Sequence, residues 1–569
     1  MKYKVGYLVF VFLWSVCSVS HAQVQFNFNG LGRAIVTTNK LSGPTLNGDT
    51  VTPKKGVSGY TLFDLQPNLV IGNTVRANAI LRLRNPFGSF YGASTVFAFR
   101  QFQIMGKIGK VADYEIGDIY IGGMTKYTVF KPEEIWHDYE SDIHAMRRSV
   151  VEYENFVKGN MWRLQGVQAY SNFGFNKGIK SLNVRLFGTR TNASNTQGTP
   201  DRLLVGGRLG IVQSQYLAVG VNYVGMLDVR VNNDSVDYSN NVLTGDVKLT
   251  LDREKFLVQL AGELGTSNFK NTQVYSKVTK QYNDYVTDID FKAVYKPLKI
   301  KVFGAYRSVG AQFTSPAAQT ARLNVLQNLS LFETINNATV GRNPTLYDRL
   351  TDEGMYNRSV APVLYMFQPE YGNLSPYGDA TPNRTGITAG IGSDTSAKVI
   401  QAEARVDLYS ELVGEGVADK RKFTSLRGGL RFNLGTLLKW NRILSFNAGA
   451  RQENTTRGGE APIDFKSTLI DLGATVETFK KLDLLFGVKL LNAKGNEYLT
   501  LRDQFNLINN YIIYNLDMNE AIISPGVRLR FSERSYLTGT YNATAYKDTK
   551  FFNYNYKIHQ VFFNYTLVF

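Results

Sequence analysis

The amino-acid sequence predicts an all-β fold, a transmembrane, antiparallel, up-and-down β-barrel of about 22 strands, with 20 to 24 as the range. Three observations lead to this prediction. Apolar and polar residues alternate in repeated segments of about 10 to 14 residues, close to the ~9–11 that a tilted membrane strand needs. The 569 residues include 33 Tyr and 35 Phe but only four Trp and one Cys. The final segment also alternates, and it ends on Phe569.

The first 22 residues have the composition of a secretory signal peptide. Lys2 and Lys4 precede an apolar run over residues 6–19, and small residues follow at 20–22. Cys17, the only cysteine, lies within this signal, and the residues before it fit lipoprotein processing poorly. Removal of the signal would leave a chain without thiols, and this excludes disulfides and cysteine-ligated metals.

The remaining residues, 23–569, are predicted to form one barrel domain. The segment 75–84 illustrates the pattern, because its odd positions are apolar and Arg76, Arg82 and Arg84 share the other face. A soluble β-sandwich also alternates, but it does not need a charged face on so many strands. A mean hydropathy of −0.19 also fits a membrane barrel, because every second residue faces a polar lumen. After the signal, no run approaches the ~18 apolar residues of a membrane helix.

The last thirteen residues, KIHQVFFNYTLVF, resemble the closing strand of bacterial outer-membrane β-barrels of the porin-like type. The resemblance implies that Tyr565, Leu567 and Phe569 form the signal read by the barrel-assembly machinery. It also implies an integral protein of the bacterial outer membrane, surrounded by membrane lipid and lipopolysaccharide. The Asn- and aromatic-rich loops are similar to those of barrels from the Bacteroidota.

Short periplasmic turns should alternate with long extracellular loops. We predict long loops at 121–146 and 497–518, and a short turn at 158–160 that follows a strand carrying Glu152 and Glu154. The largest loop is expected over 313–395, with a short helix within 316–336 where apolar residues recur every three to four positions. This loop could form a constriction in the lumen or an extracellular cap, and the sequence does not decide between them.

A ladder of charged residues falls on the predicted inward faces. Rings of charge set ion selectivity in pores, and arginine binds carboxylate and phosphate groups with two parallel hydrogen bonds. Arg–carboxylate pairs that brace the wall are an equally good interpretation of any single arginine. The candidate lumen residues are Arg76, Arg82, Arg84, Asp113, Glu115, Glu152, Glu154, Arg163, Arg185, Arg202, Arg208, Arg405, Arg427, Arg431, Arg528 and Arg530.

Signatures of enzymes and cofactors are weak. His137 and His144 lie near several carboxylates, but their spacing matches no metal motif, and solvated extracellular charge is the favoured interpretation. We therefore expect no enzyme activity, no cofactor, no bound metal and no nucleic-acid partner.

The predicted function is a porin-like outer-membrane channel for the passive or facilitated passage of small anionic solutes through an arginine-lined lumen. The net charge of +17 favours positive potential in the lumen or the loops. One alternative is a plugged scaffold subunit of an outer-membrane machine for secretion, assembly or motility, with protein partners at its extracellular loops. A weaker alternative is an export barrel for an anionic polysaccharide.

Overall fold

The structure is a computed structural model that describes most of the chain after the predicted signal peptide. The prediction of a signal over residues 1–22 lies outside the described residues. In 43–44, 50–55, 332–335 and 338–340 the backbone alone is described. The described ranges are 24–44, 50–72, 74–87, 94–131, 139–155, 163–192, 200–230, 234–320, 332–335, 338–340, 345–351, 359–550 and 555–569.

Twenty-two strands form one antiparallel sheet in which each strand pairs with its neighbours in the chain, and the last strand pairs with the first. The predicted up-and-down barrel of about 22 strands is therefore confirmed. Two further strands, β14 and β15, form a separate hairpin. The strands are Val24–Pro44 (β1), Thr50–Ile71 (β2), Val75–Pro86 (β3), Val96–Ile108 (β4), Ala112–Ile119 (β5), Leu164–Gly174 (β6), Ser181–Asn192 (β7), Asp201–Val212 (β8), Leu217–Val229 (β9), Val236–Asp252 (β10), Phe256–Gln273 (β11), Val278–Tyr295 (β12), Ile300–Val309 (β13), Phe332–Ile335 (β14), Ala338–Val340 (β15), Arg384–Ser393 (β16), Ile400–Ser410 (β17), Lys422–Asn433 (β18), Leu444–Arg457 (β19), Ile463–Phe479 (β20), Leu482–Arg502 (β21), Ile508–Ser532 (β22), Ser535–Asp548 (β23) and Asn555–Val568 (β24).

The C-terminal residue completes the closure of the barrel. The backbone N–H of Phe569 donates to the carbonyl of Gly30 at 3.1 Å, and Gly30 N–H donates to the carbonyl of Phe569 at 3.0 Å. The Phe569 ring stacks on Phe63. It occupies the space that a side chain at position 30 would need, so glycine fits there. Tyr565, Leu567 and Phe569 all face outward and are exposed. Their role as an assembly signal stays a prediction.

The outward face changes character along the strands. On β11, Leu260 and Leu264 face outward near the short-turn end, whereas Asn268 and Lys270 face outward further along. An apolar outer face suits lipid and a polar one suits water. We call the first level the membrane portion of the barrel and the second the outer portion. A closed barrel with an apolar outward belt is the architecture of an integral outer-membrane protein.

Short turns and long connections lie at opposite ends of the barrel, as is usual for outer-membrane barrels. One end carries turns of two to ten residues, and the other carries the two longest connections, 120–163 and 310–383. The predicted large loop at 313–395 corresponds to the connection 310–383. The last residues of the prediction instead form β16 and the turn that follows it. The predicted loop at 497–518 is wrong. Most of it continues β21 and β22, which extend beyond the ~9–11 residues that a membrane strand needs.

Three short helices occur among the described residues: Asp142–Asn155 (α1), Leu346–Thr351 (α2) and Leu434–Leu437 (α3), with a 3-10 turn at Pro369–Tyr371. The short helix predicted in the large loop is present, but it lies at Leu346–Thr351, outside the predicted range 316–336. Residues 332–335 form β14, residues 316–320 lie in a turn region, and 321–331 fall outside the described ranges. In the described part of the chain, no helix is long and apolar enough to cross a membrane.

Candidate functional site

The candidate functional site is the lumen, and its main occupant in the membrane portion is α1. The helix belongs to the connection between β5 and β6 but lies inside the barrel. The 140–144 end contacts β18–β22 and the C-terminal end contacts β1–β4. With a rise of about 1.5 Å per residue, its 14 residues span roughly 21 Å of the lumen.

Five inward-facing glycines form the seat of the N-terminal end. They lie on five consecutive strands, β18 to β22, and we call them the glycine belt: Gly429, Gly449, Gly473, Gly487 and Gly526. A Cβ atom on Gly487 would stand 2.5 Å from Ile143 Cγ2, and one on Gly526 would stand 2.9 Å from Ile143 Cδ1. Cβ atoms on Gly429 and Gly473 would collide with Tyr139 and Ser141.

The segment before α1 therefore lies directly against the wall backbone, and only glycine permits so close an approach. The outward neighbours Leu472, Phe486 and Val527 are exposed apolar residues, which places the belt at the level of the membrane.

A buried polar network fixes this end of the helix. Ser141 Oγ lies 2.7 Å from His144 Nδ1, and His144 Nε2 lies 2.9 Å from Ser524 Oγ. Lys489 Nζ donates to Glu140 at 2.8 Å and to Asp471. Burial lowers the pKa of His144, so its imidazole is neutral at neutral pH.

A second polar network fixes the C-terminal end. Asp64, fully buried on β2, accepts two hydrogen bonds from Arg82, at 2.8 and 2.7 Å, and one from the Tyr153 hydroxyl at 2.8 Å. Arg82 also donates to the backbone carbonyl of Glu154, and Arg100 to that of Tyr153. Cations thus satisfy the last carbonyls of the helix and oppose the negative end of its dipole.

The Glu154 side chain completes this anchor. It accepts from Arg33 at 2.9 Å and from the Tyr60 hydroxyl at 2.6 Å.

The strand predicted to carry Glu152 and Glu154 is therefore wrong, because these residues belong to α1. The alternation of residues 151–154 imitates a strand, but the buried residues Ile143, His144, Val150 and Val151 have helical spacing. The prediction of solvated extracellular charge around His144 is also wrong, since its side chain is buried at the helix seat. His137 lies outside the described residues.

Several apolar clusters line the outer portion, and two of them are the largest among the described residues. One joins inward residues of β20–β24, such as Phe465 and Met518, to Leu346 and Tyr347 of α2. The other joins inward residues of β5–β11, such as Phe269, to Phe130 and Val360 of the two long connections. At this level the inward face combines these apolar clusters with buried polar residues such as Glu497 and Glu520, and the chain's own connections cover it.

Polar contacts tie the connection 310–383 to the wall. Asn373 Nδ2 donates to Glu497 at 2.6 Å and to Thr455 at 2.8 Å. Burial raises the pKa of Glu370 to about 7. The Tyr514 hydroxyl donates to both carboxylate oxygens, at 3.0 and 3.1 Å, and has the opposite effect on this pKa. Asn506, in the turn after β21, accepts from the Leu364 backbone N–H at 3.2 Å. The connection thus narrows the outer mouth.

Most predicted lumen arginines face inward and hold a carboxylate. The pairs on the wall are Arg82–Asp64, Arg163–Asp118, Arg202–Asp228, Arg208–Asp246, Arg405–Asp407, Arg427–Asp407, Arg528–Asp483 and Arg530–Asp483. Glu152 pairs with Arg148 on α1 itself at 2.8 Å. At these positions the geometry is that of a braced wall.

The other predicted residues are less tightly engaged. Arg76 is exposed near the turn between β2 and β3, and Arg84 stacks over the Tyr60 ring at 4.1 Å. Glu115 accepts from Gln103 at 2.9 Å, and Arg185 lies 5.3 Å from the Tyr170 ring centroid. Asp113 pairs in register with Tyr170 across β5 and β6.

Arg163 and Arg530 are 40% and 26% exposed at separate places on the wall. Three further arginines lie together on the neighbouring strands β17 and β18 and are also partly open to the lumen. The side chains of Arg405, Arg427 and Arg431 are 25%, 38% and 34% exposed. We call them the basic wall. Arg405 and Arg427 share the carboxylate of Asp407, whereas Arg431 binds Asp142 of α1 at 3.3 Å. The two strands thus carry three arginines and two inward carboxylates, Asp407 and Glu403, and Glu403 binds Lys301 of β13 at 2.6 Å.

Sequence reasoning missed the carboxylate partners Asp64, Asp118, Asp228, Asp246 and Asp483, and it missed the glycine belt. Each of these residues occupies an inward position, so the alternation that identified the arginines could have identified them. The glycines form a set only when strand register is known. Among the described residues, no group of three or more His, Cys, Asp or Glu side chains is arranged to hold a metal ion.

Comparison with known proteins gives likenesses of structure at low sequence identity. No family model and no curated protein matches the sequence. OccK8 (OprE) of Pseudomonas aeruginosa overlays with a TM-score of 0.35 and 8% identity, over 95% of this chain and 98% of that chain. OccK5 (OpdH) of the same organism gives 0.36 and 8%, over 95% and 98%. The outer membrane channel DcaP of Acinetobacter baumannii gives 0.29 and 10%, over 97% and 99%.

Proposed function

We propose that this outer-membrane barrel is a channel for small anionic solutes, with the basic wall as its selective surface. The observation that carries the proposal is the charge balance of that wall. Arg405, Arg427 and Arg431 are partly exposed to the lumen. The inward carboxylates of their strands are Asp407, which two of these arginines share, and Glu403, which binds Lys301. An excess of fixed positive charge in a low-dielectric passage concentrates anions.

Ion selectivity in a planar bilayer tests the proposal. Under a salt gradient, the reversal potential of the purified protein should indicate preference for the anion. The variant Arg405→Gln with Arg427→Gln should lose much of that preference, because both cations that face Asp407 are removed. The matched control, Lys277→Gln with Lys280→Gln, removes two exposed charges at the turn between β11 and β12 and should retain it. Cation preference in the unmodified protein would contradict the proposal.

A plugged scaffold subunit is the second candidate, and the apolar clusters of the outer portion favour it. A lumen that stays closed needs no water-lined path, and the connection 310–383 covers much of the inward face. Val309 and Arg384 are paired in register, so a short turn can replace residues 310–383 without disturbing β13 or β16. A protein silent in the bilayer that conducts steadily after this deletion would favour the scaffold.

A further inference from the structure

We propose that α1 is a gate that leaves the glycine belt as a unit to widen the passage along the basic wall. This inference rests on the proposed channel function. It concerns a movable element within the lumen, whereas the selective surface belongs to the fixed barrel.

The glycine belt is a seat built for this one segment. A glycine within a strand costs roughly 0.5–1 kcal/mol relative to alanine, because the unfolded chain is freer and no side chain packs. Five of them at one level of five neighbouring strands indicate that close approach of the 139–144 backbone is required there. The gate and the wall therefore form a specific contact surface.

The bonds that hold α1 on this seat are mainly polar, and several of the charged groups keep other partners if these bonds break. Glu154 and Arg33 pair with each other and would instead meet the water of the lumen. On the wall, Asp64 retains Arg82, and Asp471 retains Lys489. On the helix, Arg148 binds both Glu140 and Glu152, at 2.9 and 2.8 Å. Removing one partner of a buried ion pair is costly when the other is left uncompensated. Here undocking leaves these carboxylates compensated, so a reversible two-state contact is physically reasonable.

The docked position also covers part of the selective surface. Gly429 lies between Arg427 and Arg431 on the inward face of β18, and Tyr139 packs on it. Asp142 neutralises Arg431 when α1 is docked. Undocking would therefore widen the lumen and add a third uncovered cation to the basic wall. The open state should be both more conductive and more anion-selective than the docked one.

A reversible cross-link tests whether α1 must move. A Cβ atom on Gly449 would stand 3.4 Å from Tyr139 Cβ, close to the ~3.5–4.5 Å of natural disulfides. The variant Tyr139→Cys with Gly449→Cys can therefore tether the segment to its seat. The only native cysteine is Cys17, within the predicted signal peptide. The two single-cysteine variants are the matched controls.

We expect the oxidised double variant to lose its open-channel events and to regain them on reduction, while the single variants are indifferent to redox state. Steady conductance in the fully oxidised protein would overturn the gate and leave the channel function standing.

Thiol labelling gives a readout that does not depend on conductance. Ser524 is fully buried beneath α1, so Ser524→Cys should react with a small, water-soluble thiol reagent only when the helix undocks. Ser267→Cys, buried on β11 beneath the connection 310–383, is the protected control.

Labelling of Ser524→Cys without any conductance would support undocking and contradict the channel function. Absence of labelling under conditions in which the protein conducts would overturn the gate.

Discussion

The membrane portion and the outer portion of the barrel are built on the same strands with opposite polarity. On β22, Val527 and Leu529 face outward and Arg528 faces inward. Further along the same strand, Asn515 and Asn519 face outward, and Leu516, Met518 and Ile522 face inward into an apolar cluster. The inversion marks where the outer solvent changes from lipid to water. Above that level the barrel is organised like a soluble protein, with packed apolar clusters and buried, paired polar groups in its interior.

The first way to sharpen this comparison is to truncate an inward aromatic residue of the outer portion. Phe465→Ala should destabilise the protein by about 3–5 kcal/mol, because it opens a cavity in a packed cluster. Phe446→Ala removes the same side chain from the lipid-facing surface of the neighbouring strand and should cost clearly less. Denaturant unfolding in detergent micelles measures both, and equal losses would contradict the packed interior.

The second test places a charge on the outward face at two levels of β11. Leu260→Lys should cost about 2–4 kcal/mol, because a lysine would face the lipid of the membrane portion. Asn268→Lys, on the same face in the outer portion, should change stability little. Folding into lipid vesicles, followed by gel mobility, gives both free energies. A similar loss of folding free energy at both positions would contradict a boundary between the membrane portion and the outer portion.

The third test concerns the seat of α1 in the membrane portion. Gly487→Ala places a Cβ atom 2.5 Å from Ile143 Cγ2 and 3.0 Å from His144 Cε1, and such overpacking costs about 1–3 kcal/mol. Gly262→Ala, where the nearest atoms are 3.7 Å away, should be neutral. Thermal unfolding compares the two variants. Equal unfolding temperatures for the two variants would show that the glycine belt does not serve the close approach of α1.

The fourth test uses pH to loosen the outer portion. Burial raises the pKa of Glu370 to about 7. The stabilisation that its protonated form gives the folded protein is therefore complete below the ordinary pKa of about 4.5 and is lost as the pH rises through 7. Arg349 and Asp548 also act on this carboxyl group, the first lowering and the second raising its pKa. From about pH 5 to about pH 7, unfolding free energy should fall by about 2 kcal/mol at most.

The variant Glu370→Gln separates this group from all other titrating groups. Its stability should lose that part of the pH dependence while Tyr514 keeps an acceptor within reach. An unchanged pH profile in the variant would show that Glu370 is ionised in the folded protein.

Local alternation was enough to predict the barrel, its strand number and the inward placement of arginines such as Arg427 and Arg528. It failed where a local pattern has two physical causes. The Asn515–Met518 stretch, predicted as part of a loop, is a strand whose apolar side faces a protein core and not lipid. Alternation in α1 imitated a strand, although the spacing between Arg148 and Glu152 was available as a helical signal.

The ion-pair partners could not be assigned from sequence because pairing depends on strand register. Asp64 meets Arg82 only because β2 and β3 align those two positions. The glycine belt has the same origin, since its successive members are 14 to 39 residues apart in the chain.

Cysteine accessibility along β22 tests the polarity inversion most directly. Single cysteines at 516, 518, 522, 527, 528 and 530 sample both faces and both portions of one strand. A water-soluble thiol reagent should label positions 528 and 530, which face the polar lumen. It should spare 516, 518 and 522 in the apolar cluster and 527 in the lipid. Equal labelling at 516, 518, 528 and 530 would mean a water-filled interior throughout and would contradict the account.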